Sequence, residues 1–175
     1  MDALNMIQAH GIVPVLGLNH PETAPMVAGA LRKGGLPLLE VTMRSERAMD
    51  CLQAIKTADP GMLVGAGTIL RPEQVDQARQ AGADFIVTPG FNPRVVARCL
   101  ELGLPVVPGC VTPTEIEAGL ELGLNVFKFF PSEPLNGMAT IRQLCGPYGN
   151  IRFIPTAGIT LSNLEEYLSS DKIAA

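Results

Sequence analysis

A chain of 175 residues, 47% of them apolar, is long enough to close one core, so a single domain spanning 1–175 is expected. Every apolar run is broken by Gly, Pro or a charge well short of the roughly 18 residues a membrane helix requires, which argues against a membrane partner. With a net charge of -4 and 13 Lys and Arg scattered along the chain, there is no clustered basic footprint for a nucleic acid.

The opening residues Met1-Asp2-Ala3-Leu4-Asn5 carry neither the basic segment nor the apolar stretch of a secretory leader, which predicts a soluble, cytoplasmic protein. Residues 12–16 form the first β-rich apolar run and residues 22–32 the first amphipathic stretch of helical length. The alternation then repeats roughly every 20 to 25 residues. Strands are predicted at 36–41, 62–66, 84–87, 105–107, 126–130 and 151–155, and helices at 46–56, 72–81, 93–102, 113–122, 135–144 and 163–168. Pro72, Pro93 and Pro113 open three of these helices, where a missing N–H costs little, and Ser162 is the expected N-cap of the last. Gly82, Gly103 and Gly123 close the same three helices as left-handed stops. After Leu168 the chain reads as a loop and then the opening residues of an eighth strand.

Strict alternation of strand and helix implies parallel strands with helical crossovers, as an open doubly wound sheet or a closed barrel. Two features favour the closed α/β form, a (β/α)₈ TIM barrel. No strand leads into a G-x-G-x-x-G helix entry, and polar residues sit inside strands, where a barrel lumen accommodates them. Both architectures place their chemistry at the C-terminal ends of the strands.

Within Val126-Phe127-Lys128-Phe129-Phe130, strand alternation puts Lys128 and Phe130 on one face and Phe127 and Phe129 on the other. An ordinary strand lysine snorkels to solvent. Between two aromatics inside a parallel strand, burial disfavours the ammonium, which is how a lysine becomes a neutral nucleophile able to attack a ketone. Glu40, inside the second strand, is the second anomaly. It is either a structural ion pair with Lys128 or Arg44, or a general acid and base shifted toward working pH by burial. Arg44, just past that strand, is either a solvated loop arginine or a bidentate grip on a carboxylate, and its place beside Glu40 favours the second.

Gly65-Ala66-Gly67-Thr68 ends the third strand, where the glycines either let backbone approach a ligand, with Thr68 offering a hydroxyl, or simply make a tight strand-to-loop bend. Thr88-Pro89-Gly90, Pro108-Gly109 and Pro155-Thr156-Ala157-Gly158 end the fourth, fifth and seventh strands on the same side, and Ala157 and Gly158 are candidates for half of an anion cradle. Cys51, Cys99, Cys110 and Cys145 have no C-x-x-C spacing and are not complemented by His10 and His20, so no metal site is expected and the thiols are read as reduced and packed.

These motifs together resemble the 2-keto-3-deoxy-6-phosphogluconate (KDPG) and 4-hydroxy-2-oxoglutarate aldolase family, over essentially the whole chain. The marks are Pro14-Val15, Leu39-Glu40-Val41-Thr42-Met43-Arg44, Gly65-Ala66-Gly67-Thr68, Thr88-Pro89-Gly90, Pro108-Gly109 and Phe127-Lys128-Phe129-Phe130-Pro131. The resemblance implies a class I aldolase needing no metal or cofactor. Lys128 would form the carbinolamine and imine with the C2 ketone, and Glu40 would move protons with the help of a water. Arg44 and Thr68 would hold the substrate carboxylate, Pro89 and Phe130 would shape the pyruvyl pocket, Thr156 would line the sugar chain, and Gly158 would belong to the phosphate loop. The partners implied are a phosphorylated keto acid, pyruvate and two further copies of the chain in a homotrimer.

Two departures from the family pattern stand out. Ala157 occupies a position where the family has Gly, which puts phosphate affinity in question. The family also continues through an eighth strand, a Gly-Gly-Ser loop and a last helix, so a truncated barrel is expected, with weak phosphate binding and poor folding. The rival readings are the related 6-phosphogalactonate aldolase, a barrel isomerase using a carboxylate without an imine, and an inactive fragment acting as a structural subunit.

Overall fold

The turn chemistry of the sequence carries directly into the elements. The computed structural model describes residues 3–175; Met1 and Asp2, the start of the segment read above for a leader, lie outside the described residues. The elements in chain order are α1 (Ala3–His10), β1 (Val15–Leu16), α2 (Ala24–Lys33), β2 (Leu38–Thr42), α3 (Ala48–Ala58), β3 (Leu63–Gly67), α4 (Pro72–Gln80), β4 (Phe85–Val87), α5 (Pro93–Glu101), β5 (Val106–Val107), α6 (Pro113–Glu121), β6 (Val126–Phe129), α7 (Gly137–Cys145), β7 (Arg152–Pro155) and α8 (Leu164–Leu168).

Helices α4, α5 and α6 each begin on the anticipated proline. The Thr112 side chain accepts from Glu115 N, and the Glu115 carboxylate reaches back to Thr112 N, a reciprocal cap that satisfies two orphan donors. At the other ends Gly82, Gly103 and Gly123 lie at φ 92°, 65° and 78°, a region where a Cβ is penalised. In each case the residue after the glycine donates five residues back, as in Leu124 N to Gly119 O at 3.0 Å, which turns the chain toward the next strand.

Four details depart from the sequence reading. Helix α1 was not anticipated, because its eight residues bury only Ile7 and show no cap. Strand β1 shrinks to two residues within the expected 12–16. The expected helix at 135–144 is interrupted by Asn136 at φ 62°, which separates a 3₁₀ turn, Glu133–Leu135, from α7. Ser162 is not the cap of α8: Asn163 takes that place, its Oδ1 accepting from Thr160 N at 2.7 Å while the Ser162 hydroxyl pairs with Thr160 Oγ1.

The chain forms two compact units. The first holds the described residues through Thr88 together with Asn92–Val106, and the second holds Pro89–Phe91 with Val107–Ala175. In the first, strands β1 to β4 and the start of β5 run in sequential order, with parallel pairing. Register puts Val15, Glu40, Gly65 and Phe85 side by side on one face, and Thr42 beside Gly67. The opposite face presents Leu39, Val41, Val64, Ala66 and Ile86, all fully buried, and the helices contribute buried apolar residues such as Cys51, Leu52 and Ile55 of α3.

In the second unit β6 and β7 pair in parallel, Lys128 opposite Ile154 and Phe127 opposite Phe153. Ile173 adds a parallel bridge to Phe153, with Phe153 N donating to Lys172 O and Ala174 N to Phe153 O at 2.8 Å each. The predicted opening of a further strand therefore forms. Phe127, Phe129 and Phe153 fill one face, Phe153 standing edge-on to Phe129 at 5.7 Å, and pack with Ile116, Ile141 and Tyr167.

Candidate active site

The first unit brings three of the predicted residues to the C-terminal ends of β2 and β3. Glu40 is buried, 4% exposed, within β2. A Cβ on Gly67 would overlap the Glu40 carboxyl group, and one on Gly65 would overlap the Phe85 ring. The two glycines read as room for a ligand are thus occupied from within: they let the side chains of Glu40 and Phe85 cross over β3.

Thr68 follows at φ 60°, half-buried, a left-handed conformation that a β-branched residue adopts only under constraint. Such strain at the end of a strand orients a hydroxyl that ordinary backbone would aim elsewhere. Met43 N donates to Gly67 O and Arg44 N to Thr42 O, both at 2.8 Å, so the Arg44 turn is tied to the Thr68 turn.

The exposed Arg44 lines a cleft of about 300 Å³ with Gly17, Leu18, Asn19, Thr42 and Ser45. The Thr42 hydroxyl donates to Leu16 O at 3.2 Å and Ser45 Oγ to Leu18 O at 2.5 Å. Those hydroxyls are committed to the β1 loop, which leaves the guanidinium of Arg44 and the carboxamide of Asn19 to address a solute. Sequence reasoning missed Asn19, because nothing in a short loop between strand and helix distinguishes it from an ordinary turn residue.

The second unit gathers the remaining five. Lys128 is 8% exposed on β6, its Nζ 5.5 Å from the centroid of the Phe130 ring, within range for a cation–π contact. Its backbone is held on the far side as well, Lys128 N donating to Pro108 O and Cys110 N to Lys128 O at 2.9 Å each. Gly109 lies between these bonds, and a Cβ there would overlap the Pro89 carbonyl, so the glycine admits Pro89 to the strand that carries the lysine.

Thr156 N donates to Phe129 O at 2.9 Å and extends the ladder past β7, in phase with Ile154 and hence on the face of Lys128. Beyond it, Ala157 and Gly158 lie at φ 80° and 84°. The carbonyls of 156, 157 and 158 all accept from the protein, from Ser132 N, Glu133 N and the Asn163 carboxamide respectively. The N–H groups of Ala157 and Gly158 have no acceptor among the described residues, an arrangement of successive free donors that suits an anion. Ser132, Glu133 and Tyr167, which buttress this turn, were also missed; the sequence marks them only as a polar pair after Pro131 and one apolar position of a short helix.

The four cysteines are buried and unpaired with one another. Burial pushes the Cys99 thiol up to about 12 and Cys110 further, as suits packed, unreactive groups. No helix among the described residues is long and apolar enough to cross a membrane.

Comparison with known proteins gives this geometry a context. The model of the KDPG and KHG aldolase family matches residues 4–175. The 2-dehydro-3-deoxy-phosphogluconate aldolase of Treponema pallidum (strain Nichols) is 48% identical over 164 residues, covering 94% of this chain and 78% of that protein. The KHG/KDPG aldolase of Escherichia coli (strain K12) is 39% identical over 158 residues, covering 90% of this chain and 74% of that protein. Among solved structures, KDPG aldolase from Legionella pneumophila, with pyruvate captured as a covalent carbinolamine, superposes with a TM-score of 0.95 at 32% identity, covering 100% of this chain and 85% of that one. The alternation of parallel strands and helices is that of a TIM-barrel-like α/β fold. A family model spanning nearly the whole chain, with relatives at these identities, establishes that this chain belongs to the KDPG and KHG aldolase family and is a carbon–carbon lyase by descent.

Proposed function

We propose that the chain is a class I aldolase that cleaves 2-dehydro-3-deoxy-6-phosphogluconate to pyruvate and glyceraldehyde 3-phosphate, with 4-hydroxy-2-oxoglutarate, cleaved to pyruvate and glyoxylate, as a second substrate. The observation that carries the reading is the buried Lys128 on β6 with its amine over the face of Phe130. Neutral Lys128 attacks C2 of the keto acid to give a carbinolamine, which loses water to form an iminium ion. The C3–C4 bond then breaks: its electron pair flows into the iminium, leaving an enamine of pyruvate, while the C4 hydroxyl loses its proton as the aldehyde forms. Protonation at C3 and hydrolysis release pyruvate and regenerate the lysine. The aromatic face that attracts an ammonium attracts the iminium equally.

Glu40 is the group assigned to move protons, through a water; a carboxylate kept within a strand suits acid and base work in both directions. Arg44 and Thr68 are assigned to the substrate carboxylate, Pro89 and Phe130 to the walls of the pyruvyl pocket, Thr156 to the sugar chain and Gly158 to the phosphate. A homotrimer in the cytoplasm completes the reading and rests on the family. Purified protein supplied separately with the C4-epimeric gluconate and galactonate substrates, pyruvate release being followed by a coupled assay, tests the substrate assignment. A kcat/KM at least tenfold higher for the gluconate epimer supports it, and a preference for the galactonate epimer overturns it.

A further inference from the structure

The turn at 156–158 is held by a cluster to which neither the proposed chemistry nor the sequence assigns a role. The Tyr167 hydroxyl on α8 donates to Glu133 Oε1 and pairs with Ser132 Oγ at 2.9 Å. Ser132 is fully buried and Tyr167 2% exposed, so both hydroxyls depend on protein partners. Burial, and then the Glu133 carboxylate, push the Tyr167 phenol up, which keeps it protonated as a donor.

Space for this hydroxyl is built into the backbone: a Cβ on Gly137 would overlap the Tyr167 oxygen, and one on Gly158 would press against the Glu133 side chain at 2.5 Å. A tyrosine that merely filled the core would need neither the hydroxyl pair nor the glycine beneath it. From the same two residues, Ser132 N reaches Thr156 O at 2.8 Å and Glu133 N reaches Ala157 O at 3.2 Å. The side chains of Ser132 and Glu133 are therefore fixed by Tyr167 while their backbones fix the turn.

We propose that Tyr167 is a positioning residue for the anionic end of the substrate: through Ser132 and Glu133 it holds the carbonyls of Thr156 and Ala157 in place and so aims the N–H groups of Ala157 and Gly158 at a phosphate. The inference rests on the aldolase reading and on the placement of the phosphate at Gly158. It separates two parts of the reaction. The phosphorylated substrate depends on the aimed donors, whereas 4-hydroxy-2-oxoglutarate and pyruvate, which carry no phosphate, do not.

The test compares Tyr167→Phe and Ser132→Ala with the parent protein on 2-dehydro-3-deoxy-6-phosphogluconate and on 4-hydroxy-2-oxoglutarate, with borohydride trapping of pyruvate as a measure of the lysine alone. The expected result is a KM for the phosphorylated substrate raised on the order of tenfold, the loss typical of one well-placed hydrogen bond. Its kcat, both constants for the other substrate and the trapping rate should hold within about twofold. Equal losses on both substrates mark a merely structural role and overturn the inference, as does an unchanged KM for the phosphorylated one. If Tyr167→Phe does not fold, Ser132→Ala alone decides by the same criterion. A parent protein that cleaves neither substrate and traps no pyruvate removes the aldolase reading and this inference together. A parent that cleaves both while the variants lose both alike removes the inference only.

Discussion

Two lysines of this chain sit beside parallel strands in opposite settings. Lys56 of α3 reaches the ends where β3 and β4 begin, its Nζ 2.8 Å from Met62 O and from Asp84 Oδ2, and 3.1 Å from Pro60 O and Asp84 Oδ1. Asp84 in turn accepts from Val64 N at 2.7 Å. That ammonium is surrounded by oxygens that need its charge, and it serves as a clasp on the strand starts. Lys128 lies inside β6 with its amine over an aromatic ring, on the face shared by Ile154 and Thr156. On the proposed reading the same side chain is a structural clasp in one place and the nucleophile in the other, and the groups each amine faces, oxygens for Lys56 and an aromatic ring for Lys128, make the difference.

The largest expected contrast lies between these two residues. Lys128→Ala should abolish both turnover and pyruvate trapping in a protein whose far-ultraviolet circular dichroism and urea midpoint stay near the parent's. Lys56→Met should leave kcat per folded molecule within about twofold; if it erases activity in folded protein, the division between clasp and nucleophile is wrong. Glu40→Gln comes next: kcat should fall about a hundredfold or more while trapping persists, since imine formation needs the amine and proton movement needs the carboxylate. Loss of trapping in step with kcat would place Glu40 in lysine positioning instead.

Smaller effects concern stability. Lys56→Met removes the partner of a half-buried carboxylate and of two carbonyls and should cost about 2 kcal/mol in urea unfolding. Ala157→Gly relieves a left-handed residue at φ 80° and should gain up to about 1 kcal/mol, or a rise in Tm of about 2–4 °C, with a lower KM for the phosphorylated substrate.

The buried thiols contribute least. An unfolded cysteine ionises near pH 8.5, whereas folded Cys99 stays neutral up to about 12, so its contribution is fully present at pH 7 and declines as pH rises through that window. The urea midpoint in reductant should therefore be lower at pH 9.5 than at 7.5, and Cys99→Ala should narrow the difference.

How much of this was legible in the sequence follows from how local each signal is. The alternation of elements, the proline helix starts and the glycine stops are encoded within a few residues and were readable, as was the burial of Lys128 within its strand, which the flanking aromatics announce. The internal helix break at Asn136 was not, because a left-handed asparagine looks like any polar residue until its backbone is seen. What fills the space above Gly65 and Gly67 was not legible for a related reason: the Phe85 ring lies 20 residues after Gly65 and the Glu40 carboxyl group 27 residues before Gly67. Ser132 and Tyr167 lie 35 residues apart, so their hydroxyl pair has no sequence signature at all.

The division between clasp and nucleophile is most directly tested by incubating the protein with pyruvate and borohydride and mapping the reduced adduct by peptide mass spectrometry. A single pyruvyl modification on Lys128, with Lys56 unmodified, is the predicted result. An adduct on another lysine, or none in protein shown to be folded, would contradict the account.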